Sequence, residues 1–265
     1  YGSSPHGGVL VVAGDDHGCV SSGMPHQSDQ LFQAYHMPVV APATVTLGSL
    51  NQTYTKTQKS ATATTSPEGL TVDFAYDPST RINAGNYAVT ATVNDTNYQG
   101  TASGTLTIAP AALTVTADAK TKAYGEADPA FTYAVTSGTL YGGDTVSGTL
   151  TRAAGESVGA YAIAQGSVTA GANYALVFIG ADLTITKATA TVTLNGLNQV
   201  YDGAPKPVTA TTVPAGLTVV FTYNGAPDAP VLAGSYPVTG TLNDTNYQGS
   251  ASGTLVIAKA TPVIT

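Results

Sequence analysis

The chain has 265 residues, room for about two to four compact domains. Nine Lys and Arg stand against sixteen Asp and Glu, and only 9% of residues are charged, which excludes a phosphate-neutralising nucleic-acid binder or a polybasic membrane binder. A hydrophobic share of 43% excludes a disordered chain, and a single cysteine, Cys19, excludes any intrachain disulfide.

The chain opens on a segment unlike the rest. All four His, both Met and the only Cys lie within residues 1–37, so residues 1–42 are set apart as a segment not expected to fold independently. Its apolar run Val9–Ala13 is far shorter than the roughly 20 residues a membrane span needs. It lacks the basic flank and cleavage site of a signal peptide. The first residue is Tyr1, as expected of a piece of a longer product or of a mature terminus.

From Ala43 onward the composition is that of strands and turns: 42 Thr across the chain, only three Glu, and 29 Gly and 15 Pro between short runs rich in Val, Thr and Tyr. The stretch Ala43–Tyr54, ATVTLGSLNQTY, returns at Ala190–Tyr201 as ATVTLNGLNQVY. Asn94–Ala109 and Asn243–Ala258 agree at 14 of 16 positions. A divergent copy lies between them with the same landmarks in the same order. Each unit has an early Tyr (Tyr54, Tyr124, Tyr201) and a Gly-x-Tyr (Tyr87, Tyr161, Tyr236). Each then has an Asn-Tyr (Tyr98, Tyr174, Tyr247) and a closing Leu-x-Ile (Leu106 and Ile108, Leu183 and Ile185, Leu255 and Ile257), and these recurring residues are the expected core.

Apolar and polar residues alternate with a period of two. Tyr87, Val89, Ala91 and Val93 share one strand face, and Asn195-Gly196 and Asp202-Gly203 mark turns. No sustained 3.6-residue period interrupts this pattern. The expected fold is all-β: tandem small immunoglobulin-like β-sandwich domains over 43–110, 111–187 and 188–259, behind the short non-repeat segment. Residues 260–265 read as the start of a truncated fourth repeat. The joints Ala109–Ala112, Thr186–Thr189 and Ala258–Thr261 are short, which restricts hinging.

These landmarks resemble the MBG family of bacterial immunoglobulin-like repeats, some of which carry a Tyr-Asp-Gly signature. Tyr201-Asp202-Gly203 matches that signature, the first unit has Tyr54-Thr55-Lys56 in its place, and the middle unit with Tyr124-Gly125 looks like a second subtype. The resemblance covers residues 43–260. It implies a secreted or surface-exposed bacterial protein, often an adhesin in which repeats form a stalk, without catalytic residues. Residues 7–30 and the following HMPVVAPA resemble a stretch of indolepyruvate ferredoxin oxidoreductases, which use thiamine diphosphate and iron–sulfur clusters. Neither a thiamine diphosphate motif nor a cysteine cluster is present, so the expectation is a chimera, with no cofactor.

Candidate chemistry is sparse. His6, His17, Cys19, His26 and His36 fit no zinc spacing, and Cys19 or Ser21 and Ser22 near a His lack the orienting group and oxyanion hole of a nucleophile site. Asp95 and Asp244 read as turn residues whose side chains cap local amides, and Asp118, Asp128, Asp144, Asp182, Asp202 and Asp228 form no calcium cluster. The Asn-x-Thr triplets at Asn51, Asn94 and Asn243 match the glycosylation acceptor pattern as a Thr-rich chain does by chance, and Tyr141 lies outside the recurring set. The expected role is a structural spacer whose partners are its own neighbouring repeats, with any host or cell-surface ligand held by another domain. A glycan- or protein-binding β-module and a fragment of a 2-oxoacid ferredoxin oxidoreductase are the alternatives.

Overall fold

The computed structural model describes residues 40–261. The candidates His6, His17, Cys19, Ser21, Ser22, His26 and His36, the apolar run Val9–Ala13 and residues 262–265 lie outside them. Every regular element among the described residues is a strand, and no helix there is long and apolar enough to cross a membrane.

The first and third repeats share one topology. In the first, Thr44–Gly48 pairs antiparallel with Thr62–Ser66. A four-stranded sheet runs Asn51–Thr53, Thr101–Ala109, Gly85–Val93, Val72–Asp77. The third repeats this with Thr191–Asn195 on Thr209–Val213 and with the order Asn198–Val200, Ser250–Ala258, Gly234–Leu242, Val219–Tyr223. In both sheets the short first strand is parallel to the closing strand and the other pairings are antiparallel. The chain crosses from one sheet to the other at the predicted Asn195-Gly196 turn, where Gly196 takes a φ of 72°.

The divergence of the middle repeat has a local cause. Its opening strand Ala111–Ala117 runs unbroken and pairs parallel with Tyr174–Ile179 over six positions, whereas Ala41–Pro42 and Ala188–Thr189 make only two such pairs each. Three residues after the Asn of the Asn-Tyr pair, the first and third repeats have Gly100 and Gly249, and a Cβ there would stand 2.2 Å from the carbonyl oxygen of Ala43 and of Ala190. The two-residue pairings end where the backbones come this close. The middle repeat carries Leu176 at this point and the ladder persists. Ala41 and Pro42, assigned from sequence to the leading segment, thus pair with Tyr98–Gln99 of the first repeat, as Ala188 and Thr189 pair with Tyr247–Gln248.

The two-residue period places the core. Tyr87, Val89, Ala91 and Val93 are all buried from one long strand, and the closing pairs Leu106 and Ile108, Leu183 and Ile185, Leu255 and Ile257 are almost wholly buried. At roughly 1.5–3 kcal/mol for each fully buried aliphatic side chain, these pairs anchor cores that have no disulfide. One hydrophobic cluster crosses a joint: Tyr54, Tyr87, Leu106 and Ile108 of the first repeat pack with Ala111, Leu113, Val115, Val168 and Tyr174 of the second. Among the described residues, no cluster spans the second joint in this way. Ala117, Ile163, Leu183 and Ile185 form one cluster above it, and Ala190, Val192 and Leu242 another below.

Candidate functional site

No group of three or more His, Cys, Asp or Glu side chains able to hold a metal occurs among the described residues. The polar chemistry gathers instead at the two joints, built from the same landmarks each time.

At the first joint the early Tyr of one repeat meets the Asn-Tyr of the next. The Tyr54 and Tyr174 rings meet edge to face, centroids 5.4 Å apart, and Tyr141 packs on Tyr54 in the same manner at 6.1 Å. Tyr54 is only 1% exposed, so its phenol needs a partner, and it donates to Asp144 Oδ2 at 2.7 Å. The Tyr174 hydroxyl donates to the same oxygen at 2.9 Å and accepts from the Tyr141 amide at 2.8 Å. Lys56 Nζ closes the cluster, donating to Asp144 Oδ1 at 2.6 Å and to the Gly142 carbonyl at 2.9 Å. Beside it, Asn173 Oδ1 accepts the Ala84 amide at 2.8 Å, and Asn173 Nδ2 donates to Asn83 Oδ1 at 3.0 Å.

These contacts set the electrostatics. The Lys56 ammonium, then the Tyr54 hydroxyl, hold the Asp144 carboxyl down at about 2. Burial, then the Asp144 carboxylate, pushes the Tyr54 phenol up to about 12. Burial also raises Tyr174. Lys56 has a φ of 58°, a left-handed conformation costly for a side chain with a Cβ. It occupies the position of Gly203 in the Tyr-Asp-Gly of the third repeat, where φ is 85°.

The second joint repeats the plan in reduced form. The Tyr124 and Tyr247 rings meet edge to face at 5.3 Å, and Asn246 Oδ1 accepts the Val158 amide at 2.9 Å. Lys187 Nζ donates to the Asp244 carbonyl at 2.7 Å. The Asn is aimed by the turn before it: Asp244 Oδ1 accepts the amides of Asn246 and Tyr247 at 2.7 and 2.9 Å. Asp95 does the same for Asn97 and Tyr98 at 2.7 and 3.1 Å, which is the amide-capping turn read from the sequence.

The expected core residues divide by depth. Tyr54, Tyr87, Tyr174 and the three Leu-x-Ile pairs are buried, and Tyr98, Tyr124, Tyr161, Tyr236 and Tyr247 are half-buried. Each second Tyr ties its hydroxyl to the carbonyl four residues earlier, Tyr87 to Asn83, Tyr161 to Ser157 and Tyr236 to Leu232, at 2.7–2.9 Å. Tyr201 departs from the expected core role. It is 38% exposed, because nothing among the described residues packs on it as Tyr174 and Tyr247 pack on its counterparts.

Sequence reasoning missed Asp144, Lys56 and Tyr141, whose contacts join positions about ninety apart. Asp144 reaches the first joint from a turn at Tyr141–Asp144. The readable signal was Lys56 in a glycine position. It also missed a buried cation in every repeat. Arg81 lies over the Tyr76 ring at 3.5 Å and Nε donates to the Lys59 carbonyl at 2.8 Å. Lys122 binds Asp128 and Glu156, both at 2.7 Å, and Arg152 bridges the same two carboxylates. Lys206 pairs with Asp202.

The sequence profile of the MBG domain matches residues 43–112 and 190–261, and that of the MBG domain of YGX type matches residues 113–184. The chain is a tandem array of β-sandwich repeats, and it belongs to the MBG domain family. Among solved structures it is similar to Sidekick-1 immunoglobulin domains 1–4, at 13% identity over 82% of this chain and 76% of that one. The TM-score of 0.28 is too low for that likeness to carry any argument. No curated protein matches the chain, so the resemblance of residues 1–42 to indolepyruvate ferredoxin oxidoreductases gains no support.

Proposed function

We propose that residues 43–259 act as a spacer in a secreted or surface-exposed bacterial protein, holding another domain away from its anchor and carrying out no catalysis. The observation behind this reading is the repeated joint. Twice, an aromatic pair and an Asn-to-amide bond lock a repeat onto its successor. The polar groups there are spent on one another and leave none converging on a substrate. The first two repeats share an apolar cluster across their joint and the third has clusters of its own, so stability adds along the array through repeats and joints together. Membership of a non-enzymatic module family found typically in surface or secreted bacterial proteins favours the same reading.

The test is mechanical. Stretching the whole chain between two handles should give discrete unfolding steps, with the third repeat released apart from the coupled first two. Yielding without resistance at low force would remove the spacer reading. A saturable glycan or protein ligand that binds the repeats themselves would replace it with the binding-module reading.

A further inference from the structure

The third repeat ends in the same receiving constellation that the first two use to hold their successors. In each, the early Tyr is fixed by its amide to the closing strand at 2.9 Å: Tyr54 to Ala109, Tyr124 to Thr186 and Tyr201 to Ala258. In each, a backbone amide precedes the Gly-x-Tyr: Ala84, Val158 and Ala233. The first two amides are capped by Asn173 and Asn246 of the following repeat, and the first two Tyr carry the ring of Tyr174 and Tyr247. At the third, Tyr201 and Ala233 are exposed, and together with Leu232, Lys259 and Ala260 they line an open cleft. Lys259 stands where Lys187 stands at the second joint, and Lys259-Ala260-Thr261 repeats Lys187-Ala188-Thr189.

We propose that the Tyr201 face is the receiving half of a further joint, shaped for the Asn-Tyr corner of another MBG repeat joined in line after Thr261. The Tyr of that corner sets its ring edge to face on Tyr201. Its Asn side-chain oxygen accepts the Ala233 amide. Lys259 donates to the carbonyl of the turn residue two before that Asn, as Lys187 does to Asp244. Leu232, 67% exposed, is covered as the corner seats. The proposal rests on the spacer reading and adds to it the identity of the contact surface.

The experiment compares the full chain with one in which residues 190–261 are duplicated in frame after Thr261. This keeps the natural Lys-Ala-Thr seam and adds a sequence already seen folded in place. Amide hydrogen exchange is followed at Ala84, Val158 and Ala233. In the parent chain Ala84 and Val158 should be protected and Ala233 should exchange fast. In the extended chain Ala233 should slow by at least about tenfold, as an amide gaining a buried partner does. Tyr201→Ala should abolish that gain in the extended chain, judged against the unextended chain carrying the same substitution, because the 38% exposed ring still packs in part on its own repeat. Fast exchange at Ala233 in both chains, with the duplicated core amides protected, overturns the proposal alone, as does protection already present in the parent. Fast exchange at all three amides overturns the spacer reading and this proposal with it.

Discussion

The Tyr54 hydroxyl donates to Asp144 Oδ2 at 2.7 Å across the first joint, and the Tyr174 hydroxyl reaches the same oxygen from the other side at 2.9 Å. One carboxylate therefore ties the early Tyr of the first repeat to the Asn-Tyr of the second. Both rings belong to the single apolar cluster that runs through this joint. Polar and apolar contacts reinforce each other there, and the two repeats should respond to damage at Tyr54 as one body. Tyr54→Phe keeps the ring packing and deletes the bond. Charge-assisted bonds of this kind contribute about 1.5–3 kcal/mol, so the first two repeats should lose about that much together. Denaturant unfolding followed by amide signals from each repeat checks this. A loss confined to the first repeat would show that the cluster does not couple them.

Acid and alkali should each weaken this joint, at predictable ends of the scale. The native Asp144 carboxyl titrates at about 2 against an ordinary 3.8, so on acidification the unfolded chain takes up its proton first. The stabilisation is complete above pH 3.8 and lost as pH falls toward 2. The native Tyr54 phenol titrates at about 12 against an ordinary 10.0, so on alkalinisation the unfolded chain releases its proton first. That contribution is complete below pH 10.0 and lost as pH climbs toward 12. In the middle repeat Arg152 and Lys122 lower Asp128, and Lys122 and Arg152 lower Glu156, which adds to the acid limb. Lys122 is raised by Asp128 and Glu156, which adds to the alkaline one. Melting temperatures across this range should trace a plateau between the two limbs. A stability still rising below pH 3.8 would contradict the Asp144 assignment.

How much of this was legible in the sequence depends on the range of the interaction. The strand faces were legible because alternation is local: Tyr87, Val89, Ala91 and Val93 point inward since every second residue must. The turns at Asp95 and Asp244 were legible for the same reason, their carboxylates capping amides two and three residues on. The joints were legible only as landmarks. The Asn-Tyr pairs recur in order, but their partners lie in the preceding repeat. The capping of Ala84 by Asn173, 89 positions away, follows from how one sandwich sits on the next. Tyr201 shares with Tyr54 the preceding Leu-Asn-Gln stretch and the amide bond to the closing strand, yet it is left exposed because nothing among the described residues packs on it.

The second joint should be the softer of the two. It keeps the ring pair and the Asn cap but has no counterpart of the Asp144 cluster and no continuous apolar core. Asn246→Ala leaves the Val158 amide without its acceptor, at a cost of about 1–3 kcal/mol. The expected result is faster exchange at Val158 and a separate unfolding step for the third repeat, with the first two still melting together. A single cooperative transition in the variant would mean that the Tyr124–Tyr247 contact and Lys187 suffice to hold the joint.

Lys56 sets two effects against each other. Its φ of 58° costs roughly 1–2 kcal/mol for a residue with a Cβ, and the equivalent Gly203 avoids that cost at 85°. In return Lys56 Nζ reaches Asp144 and the Gly142 carbonyl across the joint. Lys56→Gly relieves the strain and deletes a partly exposed ion pair, so the two changes oppose one another and the melting temperature near neutral pH should move little. The Asp144 carboxyl loses its principal stabilising partner. Its titration, followed by NMR, should rise from about 2 toward the ordinary 3.8 and stop short of it, because Tyr54 and Tyr174 still donate. The acid limb of the stability profile should shrink accordingly. An Asp144 titration unchanged in the variant would show that the two phenols alone hold the carboxylate, and that Lys56 contributes only its backbone conformation to the turn.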